Sequence, residues 1–162
     1  AVGAVETVWG GSDLARTALR THLEQLRRLD LPVVLEMFHP ARRDTCYLAL
    51  VRLEGRTATV VAAGGETQAP VEQVDEFWTR EAIFPWPESR ELPAEQGARA
   101  EWARNSLARL GYADADAGRA VERFQTDAGL VADGLLGPRT RLCLFALSTA
   151  TRPRLGVEET SR

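Results

Sequence analysis

The stretch FQTDAGLVADGLLGPRT, from Phe124 to Thr140, constrains this chain more than any other, because nearly every residue in it has a local conformational job. Gly129 follows Ala128 at a point where a helix C-cap takes positive φ, which glycine adopts without steric cost. Leu130 then folds back to pack. Asp133-Gly134 is a tight turn in which the carboxylate accepts backbone N–H groups, and Leu136 plugs a core. Gly137-Pro138 opens a new helix, with proline at the first helical position, where its missing N–H costs nothing. Thr140 lies in the first turn of that helix and bonds back to the loop, while Gln125, beside the core residue Phe124, is long enough to reach loop carbonyls. The stretch is therefore helix, braced loop, helix. Such a loop can serve as a connector alone or also present a binding surface.

Its neighbours complete a three-helix unit. Trp102, Ala103, Ser106, Leu107 and Leu110 share one helical face that Gly111 terminates, and a second helix runs from about Gly118 to Ala128. The third, from Pro138, is apolar nearly all round and should be the buried one. Upstream, Ser12-Asp13 is expected to cap a helix through Leu14, Ala18, Leu19, Leu23, Leu26 and Leu29, ended by Pro32. PVVLEMF, CYLALVRL and TATVVAA read as strands, the last two a hairpin about Glu54-Gly55-Arg56, with Gly64-Gly65 closing the unit. VEQVDEFW is a short amphipathic helix and AIFPW a last short strand. The proline-rich run from Pro85 to Ala98 has linker composition, and Trp86 is read as an exposed ring able to dock elsewhere. The fold class is thus α+β: an α+β domain over 1–86, a linker over 87–97, an all-α three-helix domain over 98–150 and a tail over 151–162.

With 162 residues, 44% hydrophobic and 27% charged, the chain has the profile of a soluble globular protein with room for two small domains. A formal net charge of −3 without a basic cluster argues against nucleic acid as a partner. All 20 basic residues are arginine and they are scattered, which reads as a solvated surface. No run approaches the ~20 apolar residues that span a bilayer, and the chain is expected to be an excised part of something larger.

FQ, three residues, GL, two, DG, two, G, two, T resembles the second half of the peptidoglycan-binding domain, and LGY at Leu110–Tyr112 resembles the end of that module's first helix. The glycine-rich turn usual after LGY is replaced here by the shorter ADADAG. With LDLPVVLEM, the CY pair, the hairpin, the FW segment, the tryptophan-proline run and the trailing PRL at Pro153 to Leu155, the whole is similar to the C-terminal periplasmic region of general secretion pathway protein A, the ExeA-type ATPase of type II secretion. The resemblance implies a first domain with a papain-like, degenerate cysteine-peptidase fold. It also implies peptidoglycan as ligand, the B component of the pathway as partner, self-association as an open possibility, a periplasmic location in an inner-membrane-anchored protein, and a role in secretin assembly. The alternative is a protein-interaction module that docks a secretion partner without wall binding.

Enzyme chemistry is not expected. By the resemblance a catalytic His belongs where Cys46-Tyr47 stand and an Asp near Ala62-Ala63, and no cysteine precedes Cys46. His39 with Cys46 is a conceivable pair with no obvious orienting acid, and the two histidines make a poor zinc site. RPRLGVEE superficially resembles the thiolate switch of metalloprotease pro-segments, but Leu155 stands in the thiol's place. No catalytic residue, cofactor or metal is assigned. Candidate ligand contacts are Tyr112, whose ring can stack, Arg139, whose fork can hold a carboxylate, and the acceptors Asp114, Asp116, Gln125 and Asp133. Phe124, Gly129, Leu130, Gly134, Leu136, Gly137 and Thr140 are assigned to the motif's framework.

Overall fold

The computed structural model describes residues 1–156. The chain divides into two compact units, Ala1–Trp86 together with the chain from Arg152, and Pro87–Thr151.

In the first unit, helix α1 (Val2–Trp9) is followed by β1 (Ala15–Arg20), α2 (Leu23–Leu29), β2 (Val33–His39), β3 (Asp44–Glu54), β4 (Thr57–Ala62), β5 (Gly65–Pro70), α3 (Val71–Phe77) and β6 (Trp78–Trp86). The six strands form one antiparallel sheet in the order β1-β6-β2-β3-β4-β5. Val33, Val34, Leu35, Ala49, Leu50, Ala82 and Phe84 are buried in its centre. Helix α1 packs on β2, β3 and β6, and α3 on β2, β4 and β5.

The long helix expected from Ser12-Asp13 is not formed. Ala15–Arg20 is an edge strand paired with β6, and only Leu23–Leu29 is helical, capped by His22 rather than by Ser12 or Asp13. The physical reason is a tie: Ala18 and Leu19 continue a helical spacing to Leu23 and Leu26, while Thr17 and Leu19 alternate as on a strand, and pairing with β6 breaks it. Thr17 and Leu19 point inward while Arg16, Ala18 and Arg20 face out. The Trp86 indole donates to Thr17 Oγ1 at 3.1 Å, so Trp86 is fully buried rather than an exposed docking ring. The reading assigns no element to residues 1–11 and closes the hairpin unit at Gly65, whereas the structure adds α1 and the edge strand β5. In β5 only Ala69 escapes full exposure, so the strand carries no apolar alternation to betray it.

The second unit contains α4 (Glu88–Glu91), α5 (Gln96–Arg109), α6 (Ala117–Asp127) and α7 (Pro138–Ser148). As its composition suggests, α7 is a buried helix, with Leu142, Cys143, Leu144, Phe145 and Ala146 all buried. The proline-rich run is structured rather than spanning open space. Leu92 is buried, the Pro93 carbonyl accepts from Arg99 Nε at 3.1 Å, and Glu88 ion-pairs with Arg141 of α7 at a site where both side chains are largely covered.

Beyond Thr151 the chain returns to the first unit. Arg152 donates to the carbonyls of Leu29 at 3.0 Å and Asp30 at 2.5 Å, the C-terminal carbonyls of α2 that its own backbone leaves without partners. Asp30, in the left-handed region at φ 53°, accepts the Gly156 N–H at 2.7 Å and faces Arg154 at 3.7 Å. Leu155 is buried and its carbonyl accepts the Leu53 N–H of β3 at 2.8 Å. The segment read as a tail is therefore, as far as Gly156, a clasp on α2 and β3; the remainder of that stretch lies outside the described residues.

Candidate functional site

The framework of the second unit is built by local hydrogen bonding. Helix α5 ends in a double-bonded reversal: the Gly111 N–H reaches the Ala108 carbonyl at 3.1 Å and the Tyr112 N–H the Leu107 carbonyl at 2.8 Å, with Gly111 at φ 90°. Helix α6 ends the same way, Gly129 to Thr126 at 3.2 Å and Leu130 to Gln125 at 2.8 Å, with Gly129 at φ 73°. Each reversal needs a residue free of Cβ repulsion at one position, which is why LGY and AGL recur at the two helix ends.

Gln125 holds the following loop. It is 1% exposed; its amide nitrogen lies 2.8 Å from Asp133 Oδ1, 3.0 Å from the Leu135 carbonyl and 3.0 Å from Thr140 Oγ1, and its Oε1 accepts the Gly134 N–H at 3.0 Å. Asp133 also accepts the Leu135 N–H at 2.9 Å, and this bond first, then the Gln125 amide, holds its carboxyl below the usual range. A depressed folded-state pKa means a stabilising contribution that is present above the unfolded carboxyl value of about 3.9 and lost as pH falls through the folded value. Urea midpoints of the chain and of Asp133→Asn, compared from pH 6 to pH 2, should therefore converge at the acid end. A constant gap would remove this assignment. Phe124 and Thr140 are buried, Leu136 and Gly137 partly so, and Gly137 is the residue before the Pro138 helix start.

The candidate contacts are placed as follows. Tyr112 is half-buried: its ring meets Phe124 edge-on at 5.6 Å and 84°, Arg123 stands 5.9 Å above its centroid, and its hydroxyl donates to Asp127 at 2.5 Å. Asp114 accepts the Asp116 N–H at 2.9 Å and lies 3.8 Å from Arg123. Asp116 is the N-cap of α6, accepting from Gly118 at 2.9 Å and Arg119 at 3.3 Å. The shortened ADADAG loop is thus a capping device for α6.

A groove of about 430 Å³ runs beside this loop. Its walls come from Ala103, Leu107 and Ala108 of α5, Ala120 and Val121 of α6, and Leu136. Tyr112 and Asp114 line it, as do Arg104 and Asn105 of α5. Of the sequence candidates it brings together only Tyr112, Asp114 and the framework residue Leu136; Asp116, Gln125, Asp133 and Arg139 are not among its walls. Arg104 was missed by sequence reading. The available signal was a spacing of four, Ala100-Arg104-Ala108, which leaves one flank of α5 lined by small side chains around a single cation.

In the first unit both histidines use Nδ1 for local backbone: His22 accepts from Gln25 at 3.4 Å and His39 from Arg42 at 3.3 Å, closing the β2–β3 turn. Cys46 is half-exposed opposite Met37, and the neighbouring Tyr47 donates to Glu36 at 3.2 Å, which raises its phenol pKa. Among the described residues no group of three or more His, Cys, Asp or Glu could hold a metal ion, and no helix is long and apolar enough to cross a membrane.

Residues 96–144 match the family described as "Putative peptidoglycan binding domain". Among solved structures, the chain is similar to a periplasmic domain of the EpsAB fusion protein of the Vibrio vulnificus type II secretion system, at 18% identity and a TM-score of 0.50, over 88% of this chain and 68% of that one. It also matches the peptidase domain of Streptococcus ComA, a bi-functional ABC transporter involved in quorum sensing, at 11% identity and a TM-score of 0.41, over 54% of this chain and 78% of that one. No curated protein sequence matches significantly. The α+β architecture with its helical unit is the fold shared with the EpsAB domain, and the family match to the helical unit supports a cell-wall-binding role.

Proposed function

We propose that this chain is a non-catalytic periplasmic region that holds a type II secretion ATPase to peptidoglycan during secretin assembly, the helical unit making the wall contact and the sheet unit serving as scaffold. The observation that carries this reading is the apolar groove beside the ADADAG loop, inside the segment that matches the peptidoglycan-binding family. Its size lies in the ~300–1,000 Å³ range of sites that enclose small ligands. The scaffold role is supported by the histidines, whose Nδ1 atoms cap a helix and a turn. Periplasmic placement and the B component as partner rest on the likeness to the EpsAB domain.

Co-sedimentation with purified sacculi tests the reading. The chain should pellet with them, and Ala108→Trp, at an exposed position on the groove wall, should fill the groove and abolish pelleting while leaving thermal unfolding unchanged. Equal pelleting of the two proteins would remove the groove from the account.

A second reading is supported by Val131 and Leu135, 79% and 67% exposed on the loop that Gln125 braces. Large apolar side chains held out on a rigid loop suit docking to a secretion partner. Co-purification with the B component that is lost in a Val131→Ser, Leu135→Ser double variant, with no sacculus binding, would favour it.

A further inference from the structure

Resting on the wall-binding reading, we infer that the groove receives the free carboxyl end of an uncross-linked stem peptide rather than the glycan strand, with Arg104 as the anion-binding residue. Peptidoglycan offers two chemistries. Its glycan is a run of hydroxyl-bearing rings, which need hydrogen-bond partners or an open aromatic face. Its peptides carry methyl side chains and, where not cross-linked, end in a carboxylate.

The groove suits the second. Its walls are small aliphatic groups, from Ala103, Leu107, Ala108, Ala120 and Val121. Tyr112, its one aromatic lining residue, is a poor platform for a sugar, since its hydroxyl is committed to Asp127, Phe124 stands edge-on to it and Arg123 lies over its ring. The lining charges point the same way. Asp114 is already compensated, by the Asp116 N–H and by Arg123. Arg104 is exposed on the groove wall and, among the described residues, is the one arginine of this unit without a hydrogen-bond or ion-pair partner; Arg99, Arg109, Arg119, Arg123 and Arg141 are engaged, as are Arg90 and Arg139. A compensated anion and an uncompensated cation leave the groove seeking negative charge, and a guanidinium fork matches a carboxylate in two parallel hydrogen bonds. Asn105, next along α5, adds a neutral donor to the same wall.

The test is competition for sacculus binding by the whole chain, with three soluble probes: a stem pentapeptide with a free C-terminal carboxylate, the same peptide amidated at that end, and glycan strands stripped of peptide. The free-acid peptide should displace the chain, the amide should need about fivefold more, and stripped glycan should fail to compete. Arg104→Gln should weaken sacculus binding about fivefold and erase the acid–amide difference, with an unchanged melting temperature. Sacculus binding that is displaced by stripped glycan, or that ignores both the amide and Arg104→Gln, would overturn this inference and leave the wall-binding reading standing. Absence of any sacculus binding would overturn both.

Discussion

Gln125→Leu should destabilise the second unit by about 3 kcal/mol, a large share of what so small a core supplies. The replacement conserves bulk and apolar packing, so cavity formation is not the mechanism. What is lost is a single amide that reaches Asp133, the Leu135 carbonyl, the Gly134 N–H and Thr140 Oγ1 from a position 1% exposed to solvent. The exposed loop groups can turn to water, but the Thr140 hydroxyl is buried and stays behind without its donor. Urea unfolding should show a lower midpoint for the helical unit, and amide exchange should lose protection across residues 129–137. Thr140→Val, which removes one of the four contacts, should cost about 1 kcal/mol. A Gln125→Leu protein as stable as the parent would mean that the loop is held by its glycine reversals alone.

Leu155→Ala should act on the other unit, lowering its stability by about 3 kcal/mol and leaving the helical unit's transition in place. Leu155 lies far from the sheet in sequence, yet it is 1% exposed, bonded through its carbonyl to Leu53 and flanked by Arg152, which satisfies the end of α2. Hydrogen exchange read separately over residues 23–54 and 96–148 distinguishes this from a general loss. An effect confined to the second range would assign Leu155 to the wrong unit.

These two positions show where sequence reading reaches. The partners of Gln125 lie within fifteen residues of it, so cap, turn and brace could all be placed from spacing alone. Leu53, which bonds Leu155, and Leu29 and Asp30, which accept from Arg152, lie about a hundred residues away or more, and nothing in TRPRL distinguishes a clasp from a tail. The same holds within the sheet: ARTALR satisfies two periodicities, and β5 satisfies neither. At the site, Tyr112 and Asp114 could be named because they follow a recognisable helix end, whereas Arg104 is one of 20 arginines and stands out only once the partners of the others in its unit are known.

Residues close along the chain specify most of the helical unit, its glycine reversals, its loop turn and the amide that braces the loop, because all of these are short-range interactions. Tertiary structure decided which segments became edge strands, that the chain returns from Arg152 to complete the first unit, and which cation is left without a partner beside a groove. Those outcomes depend on which distant surfaces meet, and periodicity carries no record of that.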